Sequence, residues 1–149
     1  MKTPPPPPSL EKVRELLKRS AIRLRPPDAW MQHAQSETEG GEDTHPRSSR
    51  ARHWDCLGAL RVEAQAMVGS LRFEGPAQQL YDAAMRRMSN AMVEHLDCRL
   101  GSRHAPTAVA HWNDAQERTQ DEVLDLFALA ASGLIVNARR VPPDPVSQS

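Results

Sequence analysis

Cys56 is the residue whose type and position are best suited to covalent chemistry, because it lies at the predicted start of a helix. The positive end of a helix dipole lowers the pKa of a thiol and favours the reactive thiolate. His104 or His111 would serve as the base, and Asn113 or Asp114 would orient that base. This is the chain order Cys, His, Asn/Asp that cysteine hydrolases use. No nucleophile motif surrounds Cys56, so the alternative is a small, half-buried apolar residue.

A second group of residues has the chemistry of a zinc site. His95 and Cys98 are three positions apart on a predicted helix, and His104 and His111 follow. Zinc prefers four such nitrogen and sulfur ligands, although this spacing matches no known finger or catalytic pattern. The alternative is a histidine with one hydrogen bond in the core and a buried thiol beside it. We therefore predict no cofactor and keep these four residues as metal candidates.

The most distinctive string runs from His111 to Val123 and contains Trp112, Asn113 and Asp114. In a functional interpretation, Trp112 is a stacking platform and the two polar residues contact a ligand. In a structural interpretation, Trp112 fills the core, and Asn113 and Asp114 form a turn through side-chain bonds to the backbone. We favour the structural interpretation.

Apolar residues repeat at three- and four-residue steps in four segments. This periodicity predicts main helices at about 9–24, 56–68, 77–100 and 119–132. Ser9, Asp55 and Thr119 are suitable N-caps for three of these helices, and Thr119 with Glu122 matches a capping box. Residues 107–112 are either a short helix or an extended piece. The fold class is therefore all-α, an irregular single-domain bundle of about four main helices.

Side-chain patterns predict how two of these helices pack. Small residues in the second helix, Gly58 and Ala59 among them, would let another backbone approach closely. The third helix carries one apolar stripe, whose members all lie within about 60° of one direction. Its members are Ala77, Leu80, Tyr81, Ala84, Met88, Ala91, Met92 and His95. Gly101 is a natural terminator for that helix.

The fourth predicted helix is apolar on nearly all sides, and it either ends near Gly133 or continues to Val136. Such a helix is buried centrally or faces a partner. We predict an interaction surface at Phe127, Leu134, Ile135 and Val136, where a second copy of the chain would form a homodimer seam.

Three segments have compositions that cannot bury enough apolar surface to offset the entropy of ordering them. They are the proline-rich leader 1–8, the internal linker 35–52 and the tail 141–149. We expect them to be disordered or flexible, with the helical domain spanning 9–140. The proline run would adopt polyproline II and serve as a leader or as a ligand for an aromatic groove.

Charge and composition limit the choice of partner and compartment. The formal charge is zero, but residues 1–27 carry a net +5 from seven basic and two acidic residues, and residues 28–46 carry a net −5. A dedicated nucleic-acid binder would be more basic, so only the first helix keeps that alternative open.

No apolar run approaches the ~18 residues of a membrane span, and no signal peptide follows Met1. We expect a cytoplasmic protein with reduced thiols. Arg outnumbers Lys by 16 to 3, which is typical of GC-rich bacterial or phage coding.

Two strings together resemble an uncharacterised family of small actinobacterial and phage proteins. They are W-D-C-L-G-A-L at 54–60 and H-W-N-D-A-Q-E-R-T-Q-D-E-V at 111–123. The resemblance implies a helical domain and carries no activity with it. It marks as pattern residues, with unknown roles, Cys56, Gly58, Trp112, Asn113, Asp114, Arg118, Thr119 and Glu122.

The sequence contains no phosphate-binding loop, no paired-carboxylate motif and no nucleophile elbow. We therefore predict a non-enzymatic helical protein that binds another macromolecule, most simply a protein. The alternative is a small cysteine-dependent hydrolase or zinc protein that uses Cys56 or Cys98 with His95, His104 and His111.

Overall fold

Five α-helices and one short antiparallel sheet build the fold in this computed structural model, which describes residues 6–99 and 104–138, the last six as backbone only. In chain order the elements are α1 (Leu10–Leu24), β1 (Ser36–Thr38), β2 (Ala51–Trp54), α2 (Cys56–Val68), α3 (Pro76–His95), α4 (Ala105–Asn113) and α5 (Gln120–Ala138). Of the predicted all-α class, the mainly helical character is confirmed. The fold differs from the prediction by a fifth helix and a small sheet. Residues 107–112, whose sequence is compatible with a short helix or an extended piece, belong to α4.

Helix α3 is central to the bundle and contacts each of the other four helices. Its predicted apolar stripe is buried from Ala77 to Met92. Leu80, Met88 and Phe127, which the periodicity places in the core, are each at most 3% exposed. Helical spacing therefore identified the main core correctly.

Helix α1 begins where its capping residue predicts. The Ser9 side-chain oxygen accepts a hydrogen bond from the Lys12 backbone N–H at 3.2 Å, which satisfies one of the donors that the first helical turn leaves free. Val13, Leu17 and Leu24 are buried. The opposite face of α1 carries most of its cations, and this amphipathic division fixes the side on which α1 packs.

Helix α3 ends at His95, five residues before the predicted end. Asp97 has φ +53°, which leaves the helical region, and the Cys98 N–H donates to the Met92 carbonyl at 3.1 Å. Asp tolerates this left-handed conformation better than most residues. His95 is consequently exposed, although the periodicity placed it in the apolar stripe. Gly101, the predicted terminator, lies outside the described residues.

Residues 35–52 contain strand β1 and the start of β2, so the prediction of a linker without regular structure was wrong for these strands. Ser36 pairs with Trp54 and Glu37 with His53, and the Ser36 hydroxyl donates to the Thr44 carbonyl at 2.6 Å. Backbone and side-chain hydrogen bonds hold this segment, and a search for apolar periodicity does not detect such bonds.

The small residues of α2 have the predicted consequence. The Gln35 carbonyl lies so close to Gly58 that a Cβ atom there would overlap it. Gly58 is thus required because the chain ahead of β1 crosses α2 in direct contact. This contact joins the segment at residue 35 to the helical core.

The helices were compared with the length and apolarity that a membrane-spanning helix requires. Within residues 6–99 and 104–138, no helix combines the length and the apolarity needed to cross a lipid bilayer. Most of the leader 1–8 and the whole tail 141–149 lie outside the described residues.

Candidate functional site

Asn113 is the centre of a buried polar cluster that joins three distant parts of the chain. It is completely buried at the end of α4. Its side-chain oxygen accepts from the Trp30 indole N–H at 2.7 Å and from the Cys56 backbone N–H at 3.2 Å. Its side-chain nitrogen donates to the Met31 carbonyl at 3.1 Å and to Asp114 at 2.9 Å. We call Trp30, Met31, Cys56, Asn113 and Asp114 the Asn113 junction.

Gln32 and His33 extend the junction along the segment between α1 and β1. The Gln32 side chain donates to the carbonyls of Asn113 and Ala115, both at 2.9 Å. The His33 backbone N–H donates to an Asp114 carboxylate oxygen at 2.8 Å. With the four bonds given above, the side-chain oxygen and nitrogen of Asn113 both have protein partners. This is the usual condition of a structural polar group in a core.

The thiol of Cys56 is fully buried. Burial, followed by the nearby charges of Asp55 and Asp114, raises the pKa of this thiol well above its ordinary value. The helix-start position would lower the pKa, but burial outweighs it, so the thiol remains protonated at neutral pH. Cys56 thus has the surroundings of a structural cysteine, because burial outweighs the contacts that favour the thiolate.

Asp55 is the N-cap of α2, and its carboxylate accepts from the Gly58 backbone N–H at 2.6 Å. Burial raises its pKa from 3.8 to about 7, with the Asp114 charge adding to the effect and the Gly58 hydrogen bond opposing it. A carboxyl group titrating near neutral pH suits acid–base chemistry in a cleft. Here the carboxyl group is buried at a helix start beside a protonated thiol. We therefore expect its raised pKa to affect the pH dependence of protein stability.

The remaining pattern residues secure the turn between α4 and α5. The Arg118 guanidinium donates to the Trp112 carbonyl at 2.9 Å and lies 3.9 Å from the centre of the Trp112 ring. Thr119 and Glu122 form the predicted capping box, with bonds of 3.0 and 3.2 Å. The hydrogen bond from the Thr119 N–H lowers the pKa of Glu122. These contacts favour the structural interpretation of the pattern.

The candidate histidines do not join this cluster through any hydrogen bond that the described residues form. The His104 ring contacts the Thr107 hydroxyl at 3.3 Å and lines a cleft with Gln78, Asp82 and Arg86. His111 is exposed on α4. The described residues contain no group of three His, Cys, Asp or Glu side chains placed to hold a metal ion. Burial also raises the pKa of Cys98. The catalytic and metal candidates stay predictions without geometric support.

A different surface has the character of a binding site. Between α1 and α5 lies a groove of about 440 Å³, which we call the α1/α5 groove. On the α1 side it is lined by Leu17, Lys18, Ala21, Ile22 and the C-cap residue Arg25. On α5 it is lined by Leu124, Phe127, Ala128, Ala131 and Ser132. The start of α5 is held beside the end of α1, because the Gln120 side chain donates to the carbonyls of Leu24 and Pro26. The two helices therefore run antiparallel along the groove.

Phe127 is the only predicted interaction residue whose side chain the structure describes. It is 1% exposed and forms the floor of the groove. Leu134, Ile135 and Val136 continue the backbone of α5, but their side chains lie outside the described residues. The sequence did not identify the α1 side of the groove. Ile22 is 57% exposed at the edge of the groove, and this apolar residue in the first predicted helix was the available signal.

Comparison with known proteins finds a family but no function. The model of the DUF6197 family, described as a family of unknown function, matches residues 8–132. No curated protein matches the chain. No solved structure matches it either.

Proposed function

Because the chain belongs to the DUF6197 family, whose function is unknown, we propose its function from the structure: it is a non-enzymatic helical protein that binds a helix of another protein in the α1/α5 groove. The prediction of an uncharacterised family is confirmed by this membership. The binding role and the partner are the proposal, and a cytoplasmic location belongs to it as well.

The observation that carries the proposal is the apolar character of an open groove between two helices. Ala21, Ile22, Leu124 and Ala128 present apolar atoms along it, and Phe127 closes the bottom. Ile22 is more than half exposed. Covering an exposed isoleucine with a partner removes apolar surface from water and stabilises the complex. Amphipathic helices commonly bind by laying an apolar face into such a groove.

The alternative of a cysteine hydrolase or zinc protein has less support. The Cys56 thiol is buried and protonated, and the hydrogen bonds around it are those of a helix start. Nucleic-acid binding through the basic first helix also has less support, since Arg19 and Arg23 both pair with the buried Glu63. The α1/α5 groove, which is open and lined by apolar side chains, therefore has the most support as the binding surface.

The test is a capture experiment with two matched variants. Tagged wild-type protein, Ile22→Glu and Leu71→Glu are incubated with lysate of the source organism and cross-linked. Leu71 is 85% exposed and does not line the groove, so Leu71→Glu controls for adding a charge at an exposed apolar residue. Any captured protein is then purified and titrated against all three.

We expect one partner that binds the wild type and Leu71→Glu with equal affinity and binds Ile22→Glu at least tenfold more weakly. A partner that binds all three equally contradicts the proposal, because its site is then elsewhere. Recovery of no common partner also counts against it.

A further inference from the structure

We infer that the α1/α5 groove selects an acidic amphipathic helix, whose apolar side chains fill the groove while two carboxylates, about two turns apart, pair with Lys18 and Arg25. This inference rests on the proposed function and adds the chemistry of the partner. It is carried by the charges at the edge of the groove, which are independent of the groove's apolar character.

Among the described residues that line the groove, Lys18 and Arg25 are charged and none is a carboxylate. Asp121 and Asp125 are exposed on α5 but are not part of this lining. Lys18 is on α1, and Arg25 is the C-cap residue of α1 and keeps helical dihedral angles. Seven positions along the helix therefore place them on one face, with about 10 Å between them along the axis. Ile22 lies between them. The spacing matches carboxylates at positions i and i+7 of a second helix.

These two cations are not used inside the protein, as far as the described residues show. Other cations of α1 have an internal role: Arg19 and Arg23 contact Glu63 at 2.9 and 2.6 Å. Lys18 and Arg25 are exposed and have no ion pair within the described part of the chain. Their charge is therefore available to a partner.

Three other occupants fit less well. A second copy would bring the same patch against itself, as two-fold dimers do, and the described linings of the two grooves would then contribute four cations and no carboxylate. Residues 139–149 of this chain, which include the tail, contain two arginines and one aspartate, so their charge does not complement the groove. A fatty acid offers one carboxylate for two separated cations. Two carboxylates on one helix satisfy both.

The test uses a designed peptide and its charge-inverted twin. An 18-residue fluorescein-labelled helical peptide carries Glu at two positions seven apart and Leu on the face between them. Its twin carries Lys in place of both Glu residues. Fluorescence anisotropy measures binding to the wild type, to Lys18→Glu/Arg25→Glu, and to Arg50→Glu/Arg99→Glu. The last variant makes the same change of net charge at exposed arginines that do not line the groove.

We expect the Glu peptide to bind the wild type and the Arg50/Arg99 variant equally, and the Lys18/Arg25 variant about tenfold more weakly. The Lys peptide should show the reverse preference, and added salt should weaken both matched pairs.

If the Glu peptide binds the wild type and Lys18→Glu/Arg25→Glu with equal affinity, the inference is overturned. If Ile22→Glu removes such binding, the proposed function stands while the acidic-helix inference fails. If neither peptide binds the wild type, the inference is wrong, and the capture experiment decides the proposed function separately. Dodecanoate binding without peptide binding, or dimerisation that Ile22→Glu abolishes in light scattering, identifies a different occupant and also overturns it.

Discussion

The Asn113 junction and the α1/α5 groove are opposite in chemical character. The junction is polar and buried, and the groups of the Asn113 side chain are bonded to other parts of the same chain. The groove is apolar and open, and its edge carries two cations without an ion pair among the described residues. The distinctive residues of the sequence thus stabilise the fold, while inconspicuous residues form the surface that a partner would bind. Substitutions should separate the two regions by their effects on stability.

The largest effect is expected for Asn113→Ala. The substitution leaves the Trp30 indole N–H and the Cys56 backbone N–H without their acceptor in a buried site. Two unsatisfied buried donors should lower the free energy of unfolding by about 4 kcal/mol. Urea denaturation measures this. Asn90→Ala, at an exposed position on α3, is the matched control and should change it by less than about 0.5 kcal/mol. Equal effects of the two variants would show that the hydrogen bonds of Asn113 do not stabilise the fold.

The second effect is a dependence of stability on pH that originates at Asp55. Its pKa is about 7 in the folded protein and near 3.8 when unfolded. Between these values the unfolded state loses the proton while the folded state keeps it, so stability falls as pH rises from about 4 to 7. The loss should be on the order of 3 kcal/mol and should level off above pH 7.

Asp55→Asn isolates that contribution, because asparagine also caps helices but does not ionise. Urea denaturation of the wild type and the variant is compared at several pH values between 4 and 8. The stability difference between them should change with pH in favour of the variant as pH rises. A difference that is constant across this range would mean that Asp55 is ionised in the folded protein.

Gly58→Ala should lower the free energy of unfolding by about 2 kcal/mol. The added methyl group overlaps the Gln35 carbonyl, and this overpacking exceeds the roughly 1 kcal/mol gained from the better helix propensity of alanine. Gly40→Ala is the control, because only the Thr38 hydroxyl, at 3.9 Å, lies near a Cβ there. Thermal unfolding followed by circular dichroism compares the two. A more stable Gly58→Ala would show that the Gln35 segment does not rest on α2.

The smallest effect on stability is expected in the groove. Ile22→Glu places a charge at an exposed position between two cations, so the free energy of unfolding should change by less than about 0.5 kcal/mol. Leu71→Glu should behave in the same way. Marked destabilisation by Ile22→Glu alone would mean that Ile22 contributes to the fold, and it would weaken the case for a binding surface.

These contrasts follow the limits of what the sequence predicts. Helical periodicity identifies the core, because buried residues such as Leu80 and Met88 recur at the spacing of helical turns. The capping signals of Ser9, Asp55 and Thr119 were also correct. Strands β1 and β2 were missed because backbone hydrogen bonds with distant partners hold them, and neither strand has an apolar pattern.

The candidate sites show a different limit. Asn113 was recognised as distinctive, but Trp30 and Gln32 are about 80 positions away, and their bonds to Asn113 have no local signal. The thiol of Cys56 was expected to gain from the helix dipole, and spacing alone does not show that burial reverses the shift. The groove depends on two helices separated by most of the chain. Residue types alone could not bring Ile22 and Phe127 together.

The most direct test of this division is backbone amide NMR during titration of ¹⁵N-labelled protein with the Glu peptide. We predict saturable shift changes at Ala21, Ile22, Ala128 and Ala131, with the signals of Asn113 and Asp114 unchanged. Changes centred on Cys56, Asn113 and Asp114, with the groove signals unaffected, would contradict the account and would make the Asn113 junction the binding site.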